Sequence, residues 1–186
     1  VKQTVTTLPS FNIFNTSYEV REKAKFVVAL EEGRSNKVYR DSEGKLTIGV
    51  GFNMEAAGAT ILWAKAGVKT SFSEAKAGRR SITDGEVDAL FNITFNEAET
   101  GAKAVFPFYS MLGVWQKVAM IGMVFQMGRG GVSNFKNTLN ALKNGQKETV
   151  FKGIVNSLWG KQTPARAKRT AVMLAYNIDH QDAENW

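Results

Sequence analysis

Glu32, Asp41 and Thr47 fall in one short stretch, LEEGRSNKVYRDSEGKLTIGVGF, residues 30–52. Glu32 ends an apolar-faced helical pattern, Asp41 enters a turn, and Thr47 lies in the β-rich run that follows. Two carboxyl groups and a hydroxyl gathered this way suit hydrolysis of a glycosidic bond. One carboxylic acid protonates the leaving oxygen, while the other, ionised, activates water or attacks carbon. Glu32, set against an apolar helix face, is placed to hold its proton, and Asp41, in a polar turn, is placed to stay ionised. Glu31, equally acidic, is expected to face solvent. Spacing alone is weak support, because an aspartate in a turn is ordinarily just a turn residue.

A second feature adds weight. The last predicted helix opens TPARAKRT, with Arg166, Lys168 and Arg169 in its first two turns. The helix dipole is positive there, so each cation is disfavoured by about 0.3–1 kcal/mol. A solvated basic surface would tolerate that. The functional alternative is that Arg166 reaches a carboxylate while its neighbours attract an anionic polymer. Gln126, a lone polar residue inside MVFQMG, is either a satisfied core amide or a cleft residue that hydrogen-bonds sugar. Trp115, Met120, Met123, Phe125, Met127, Trp159 and Met173 recur at helical spacing and read as core.

The elements that position these residues follow from local pattern. Residues 1–16, rich in Thr and Asn, read as an irregular arm. From Ser17, Val20, Ala24, Val27, Val28 and Leu30 are spaced for one helix face, which Gly33 stops. Lys37–Arg40 and Leu46–Phe52 read as two strands joined by the turn DSEGK. Gly49 and Gly51 leave one side of the second strand open to close approach by a ligand or backbone. Ala56–Lys69 reads as a short helix and 70–82 as a polar connection. Thr83 and Glu86 form a capping box for a long helix over about 84–105. Helices are then expected over Ser110–Met127, ending at Gly128–Gly131, over Asn134–Lys143, and over Gln146–Trp159, ending at Gly160. A last helix is capped by Thr163 with Pro164 at its first position.

The bulk numbers narrow the function classes. The chain has 186 residues, with 24 Lys+Arg against 17 Asp+Glu and a net charge of +7. That surplus favours a polyanionic partner: nucleic acid, anionic lipid or an anionic wall polymer. There is no cysteine and one histidine, His180, which argues against disulfide, thiolate and His-rich metal chemistry. No apolar run reaches the ~20 residues of a membrane span, and the N-terminus carries no long apolar signal-peptide core. The expectation is therefore no cofactor, no metal, no nucleic-acid role resting on more than charge, and no membrane insertion. The missing initiator Met leans toward a piece of a longer protein.

At this point four segments in order, EEGRSNKVYRDSEGKLTIGVGF, SITDGEVDALFN, MVFQMGRGGVSNF and SLWGKQTPARAKR, with Glu-x8-Asp-x5-Thr intact, resemble the T-even bacteriophage lysozymes. The resemblance covers roughly residues 22–172, and GRGG with SLW leans toward tail-spike lysozymes over free endolysins. It implies a mostly helical α+β fold in two lobes: a small β-containing lobe over 17–82, a linking helix over 83–105 and a helical lobe over 106–186. It implies Glu32 as general acid, Asp41 as second carboxylate, Thr47 beside the water site and Arg166 as partner of the acid. It also puts Glu43, Phe125 and Gln126 at cleft positions. The substrate implied is bacterial peptidoglycan, cut by a monomeric catalytic domain with inversion. Its setting would be a phage product, either an endolysin passing from host cytoplasm to periplasm or part of a larger, tail-associated virion protein. A lytic transglycosylase, a non-catalytic wall-binding or virion module and a nucleic-acid binder are the rivals. One departure stands out: a histidine common after TIGxG in the family is Phe52 here, and its aspartate partner is Thr94.

Overall fold

The computed structural model describes residues 13–186, with side chains from residue 17; most of the expected arm, 1–16, lies outside the described residues. Helix α1, Ile13–Glu32, starts four residues before the expected Ser17. Its stripe Val20, Ala24, Val27 and Val28 is buried. Gly33, at φ +75, ends it, donating its N–H to Ala29 O at 2.9 Å.

A three-stranded antiparallel sheet follows, in the order β1 (Ser35–Arg40), β2 (Leu46–Gly49), β3 (Phe52–Asn53). The expected single run over Leu46–Phe52 is thus two strands. Gly49 and Gly51 both take positive φ, +66 and +61, a conformation glycine adopts without steric cost. The chain reverses between them, setting Ile48 opposite Phe52 and Thr47 opposite Asn53.

Helix α2, Ala59–Lys65, is shorter than expected, and α3, Phe72–Lys76, forms inside the expected polar connection. Ser71 caps α3 by accepting from Glu74 N. Helix α4, Asp84–Val105, carries the expected capping box. Its 22 residues extend about 33 Å, enough to run through both cores. Glu86 does more than cap: its carboxylate also accepts from Lys69 N, Thr70 N and the Thr70 hydroxyl.

A 3-10 turn at Tyr109–Met111 leads to α5, Val114–Ser133. The expected stop at Gly128 is a one-residue break, φ +73 and ψ 171, after which the helix resumes. Then come α6 (Lys136–Lys143), α7 (Lys147–Val155), α8 (Leu158–Gln162), α9 (Pro164–Tyr176) and α10 (His180–Glu184). The single helix expected to end at Gly160 is two, because Ser157 caps α8 by accepting from Gly160 N at 3.0 Å. Gly160 packs on Val155 and Ile154 carbonyls rather than stopping a helix. Thr163 is the N-cap of α9, but its hydroxyl donates back to Trp159 O instead of capping. Among the described residues, no helix is long and apolar enough to cross a membrane.

Two apolar cores result. The smaller gathers Ile48, Val50, Phe52, Met54, Trp63 and Leu90. The larger centres on α5 and α9, with Met120, Ile121, Met123 and Leu174, and α1 gives it Val20, Ala24 and Val27. Helix α4 contributes Val87 and Leu90 to the first and Phe95, Ala98 and Ala102 to the second, while Phe91 packs on both. This is the mostly helical α+β, lysozyme-like architecture expected, with a small sheet and a helical C-terminal region. Met120, Met123 and Met173 are core, as read from spacing, and Trp115, Phe125, Met127 and Trp159 pack partly buried around it.

Candidate active site

Glu32 is the last residue of α1, so its side chain leaves the helix where the sheet begins. Three elements meet at its carboxyl. From the start of α9, Arg166 brings Nη1 to 2.8 Å of Glu32 Oε1, both side chains largely shielded at 13 % and 18 % exposure. No N–H is aimed along that line, and Oε1 is buried without a hydrogen-bond donor. The pair is therefore a charge contact, not a directed bond. From the β2–β3 turn, Gly51 lies so close that a Cβ there would fall 2.8 Å from Glu32 Oε2. Glycine is thus required at 51 twice, by its positive φ and by the carboxyl above it.

Asp41 opens the β1–β2 turn. Its Oδ1 accepts from Glu43 N and Lys45 N, each at 2.9 Å, and its backbone carbonyl accepts from Gly44 N. These bonds fix the carboxylate and leave Oδ2 outside the turn's network. Thr47, on β2, is 3 % exposed, and its hydroxyl donates to Lys45 O at 3.0 Å. Tyr39 faces Thr47 across the β1–β2 ladder. Burial raises the Tyr39 phenol above its ordinary pKa, and the Glu32 and Asp41 charges push the same way. Both acids therefore act on one phenol.

Glu31 does not face solvent, and that expectation is corrected here. Its side chain is 11 % exposed, and Arg169 forks onto it, Nε to Oε1 at 2.7 Å and Nη2 to Oε2 at 2.8 Å. His180 Nε2 lies 3.0 Å from Oε1, and Arg166 Nε lies 3.9 Å from Oε2. Burial pushes the Glu31 carboxyl up, but the His180 and Arg169 hydrogen bonds and the two arginine charges outweigh it and hold it at about 2. Arg169 is thus turned inward and spent on Glu31, whereas Lys168, which bonds the Trp186 carbonyl, stays exposed with its charge unpaired by a side-chain carboxylate among the described residues. A signal for Glu31 was present: it continues the stripe Ala24, Val27 and Val28 at helical spacing. Among the described residues, no group of three His, Cys, Asp or Glu could hold a metal.

A cleft of about 430 Å³ runs beside this group. Gly51, Phe52 and Asn53 form one wall, Phe125 and Arg129 the other, and Thr94 lies on the α4 floor. Glu32 does not line it directly; Gly51 stands between the acid and the open space. Of the expected cleft residues, Phe125 lines this space and stacks edge-on against Phe91 at 5.9 Å. Gln126 does not line it, and its Oε1 is buried without a hydrogen-bond partner. Glu43 stands exposed on the turn, 3.3 Å from Lys45 Nζ. Phe52 and Thr94, in place of an ion pair, give this space an aromatic wall and a hydroxyl turned back onto its own helix.

The two cores joined by α4 form a lysozyme-like fold, and its relatives place the chain among the glycoside hydrolases of lysozyme type. The phage lysozyme family model matches residues 29–173, and the chain belongs to that family. It is 30 % identical over 151 residues to probable T4-type lysozyme 1 of Dictyostelium discoideum, covering 78 % of this chain and 89 % of that one. It is 34 % identical over 164 residues to the pre-baseplate central spike protein Gp5 of Enterobacteria phage T4, covering 83 % of this chain and 28 % of Gp5. A shorter match, 39 % over 71 residues, is to peptidoglycan hydrolase gp36 of Pseudomonas phage phiKMV, covering 37 % of this chain and 8 % of gp36.

Proposed function

We propose that the chain hydrolyses the β-1,4 bond between N-acetylmuramic acid and N-acetylglucosamine in bacterial peptidoglycan by a single, inverting displacement. The observation that carries this is the Glu32 carboxyl, held at the meeting point of Arg166 and the Gly51 turn. Glu32 is the general acid. Arg166 at 2.8 Å favours its ionised form, whereas glycan closing over the site excludes water and favours the neutral, donating form. Asp41 and Thr47 hold the attacking water. The Thr47 proton is spent on Lys45 O, so its lone pairs accept one water hydrogen while Asp41 accepts the other. The water lone pair is then left for the anomeric carbon. Phe125 contacts glycan in the cleft, Glu43 meets it from the exposed β1–β2 turn, and the unpartnered amide of Gln126 is available to a sugar hydroxyl.

The similarity to Gp5, of which the chain spans about a quarter, supports a setting within a longer virion protein. The net charge of +7 fits capture of an anionic wall polymer, which added salt screens.

Glu32→Gln tests the assignment: lysis of purified cell walls is expected to vanish while circular dichroism is unchanged, and full lysis by that variant defeats it. Product analysis tests the chemistry. Inversion gives the α-anomer first, seen by NMR within the first turnovers, whereas an initial β-anomer makes Asp41 a nucleophile. An anhydro end by mass spectrometry points instead to transglycosylation.

A further inference from the structure

Arg166 stands between two neighbouring carboxylates. Nη1 is 2.8 Å from Glu32 Oε1 and Nε is 3.9 Å from Glu31 Oε2, and neither contact is a directed hydrogen bond. Which acid keeps the guanidinium therefore depends on how well each is supplied from elsewhere. Glu31 is well supplied. Arg169 takes both of its oxygens, and His180 Nε2 takes Oε1 a second time at 3.0 Å. Because an ionised carboxylate only accepts, that imidazole nitrogen carries a hydrogen.

We propose that His180 is a positioning residue: by completing the partners of Glu31 from α10, it leaves Arg166 on Glu32. The inference rests on Glu32 being the acid. A buried carboxylate held at about 2 stays ionised across the working range. Deprived of one donor, it draws on the nearest cation not locked by a directed bond, which is Arg166. His180 is 5 % exposed and lies beyond residue 173, where the family match ends. It reaches Glu31 from α10, the last helix of the chain. The charged groups around it are Glu31 on α1, Arg166 and Arg169 on α9, and Asp179, Asp182 and Glu184 on its own segment. Asp179 is occupied in capping Gln181 N, and Glu184 acts on Arg169.

Without His180, Arg166 moves toward Glu31 and Glu32 loses the cation that favours its ionised form. The acid then keeps its proton to higher pH, and the alkaline limb of kcat/KM moves up. His180→Ala is expected to shift that limb by about half a pH unit or more. His180→Gln, whose amide N–H can replace Nε2–H, is expected to restore the wild-type limb. A purely structural histidine would lower Tm and the active fraction but leave the limb in place. A folded Ala variant with an unmoved limb therefore overturns the proposal.

Should the Ala variant not fold, the chain's single histidine gives a direct readout, since its imidazole Hε1 signal needs no assignment. In Glu32→Gln, Arg166 is free to approach Glu31, which weakens the pull of Glu31 on the imidazolium. The His180 titration midpoint is expected to fall by roughly 0.3 pH unit or more relative to wild type, and by more than the same substitution causes in an Arg166→Gln background, where only the lost Glu32 charge acts. An unchanged midpoint, or an equal fall in both backgrounds, overturns the proposal. This second measurement needs no activity, so a failed His180 link and a failed acid assignment give different results.

Discussion

Asp41 has two separable duties. Its Oδ1 holds the β1–β2 turn through the Glu43 and Lys45 amides, and its charge is proposed to act on water. Asp41→Asn keeps an acceptor at Oδ1 and removes the charge. The expected outcome is a fall in lytic rate of about 10²-fold or more with Tm nearly unchanged; equal activity would leave Asp41 a turn residue only. At this scale the sequence was most legible where chemistry and spacing coincide, as at Glu32 and Arg166, which do meet. It was least legible for Glu31. A carboxylate next to an expected catalytic acid reads as solvent-facing until its place on the Ala24–Val27–Val28 stripe is weighed. Its partners come from α9 and α10, 138 and 149 residues further on, a distance no local pattern spans. Gly51 was read as a place of close approach, and the approaching group is Glu32 itself.

Elements with a strong local signature emerged with their expected ends: the capping box set the start of α4 at Asp84, and Gly33 ended α1. Those decided by backbone sterics or tertiary contacts did not. The β2–β3 reversal depends on two positive-φ glycines, and α8 depends on one serine hydroxyl inside a run that reads as a single helix. Gly160 makes the difference measurable. It has no positive φ, so a helix-stop role would make Gly160→Ala harmless or mildly stabilising. In the structure a Cβ there would lie 2.3 Å from Val155 O and 2.5 Å from Ile154 O. Backbone cannot yield as a flexible side chain can, so a destabilisation of about 1–3 kcal/mol is expected, measured as a lower midpoint in urea unfolding.

For the whole molecule, acid lability follows from Glu31. Its carboxyl sits at about 2 when folded against an ordinary 4.5. A depressed folded value stabilises the native state above the ordinary one, and that contribution is lost as pH falls from about 4.5 toward 2. The loss is on the order of 3 kcal/mol. Glu86, held at about 2 despite burial by the Thr70, Thr83 and Lys69 groups that bond it, adds in the same direction. Thermal melts between pH 6 and 2.5 should show this fall, and Glu31→Gln should flatten it. A last consequence concerns chain order. The large core takes Val20, Ala24 and Val27 from α1, yet the whole small core is threaded between α1 and α5. That core is therefore discontinuous: its first strip is synthesised early and must wait for its partners. A fragment starting at residue 84 should remain largely unfolded, and a separate peptide of residues 13–32 should restore its helicity by binding in trans. A fragment that reaches full helicity without the peptide would show instead that α5–α9 are self-sufficient and that α1 docks as a late passenger.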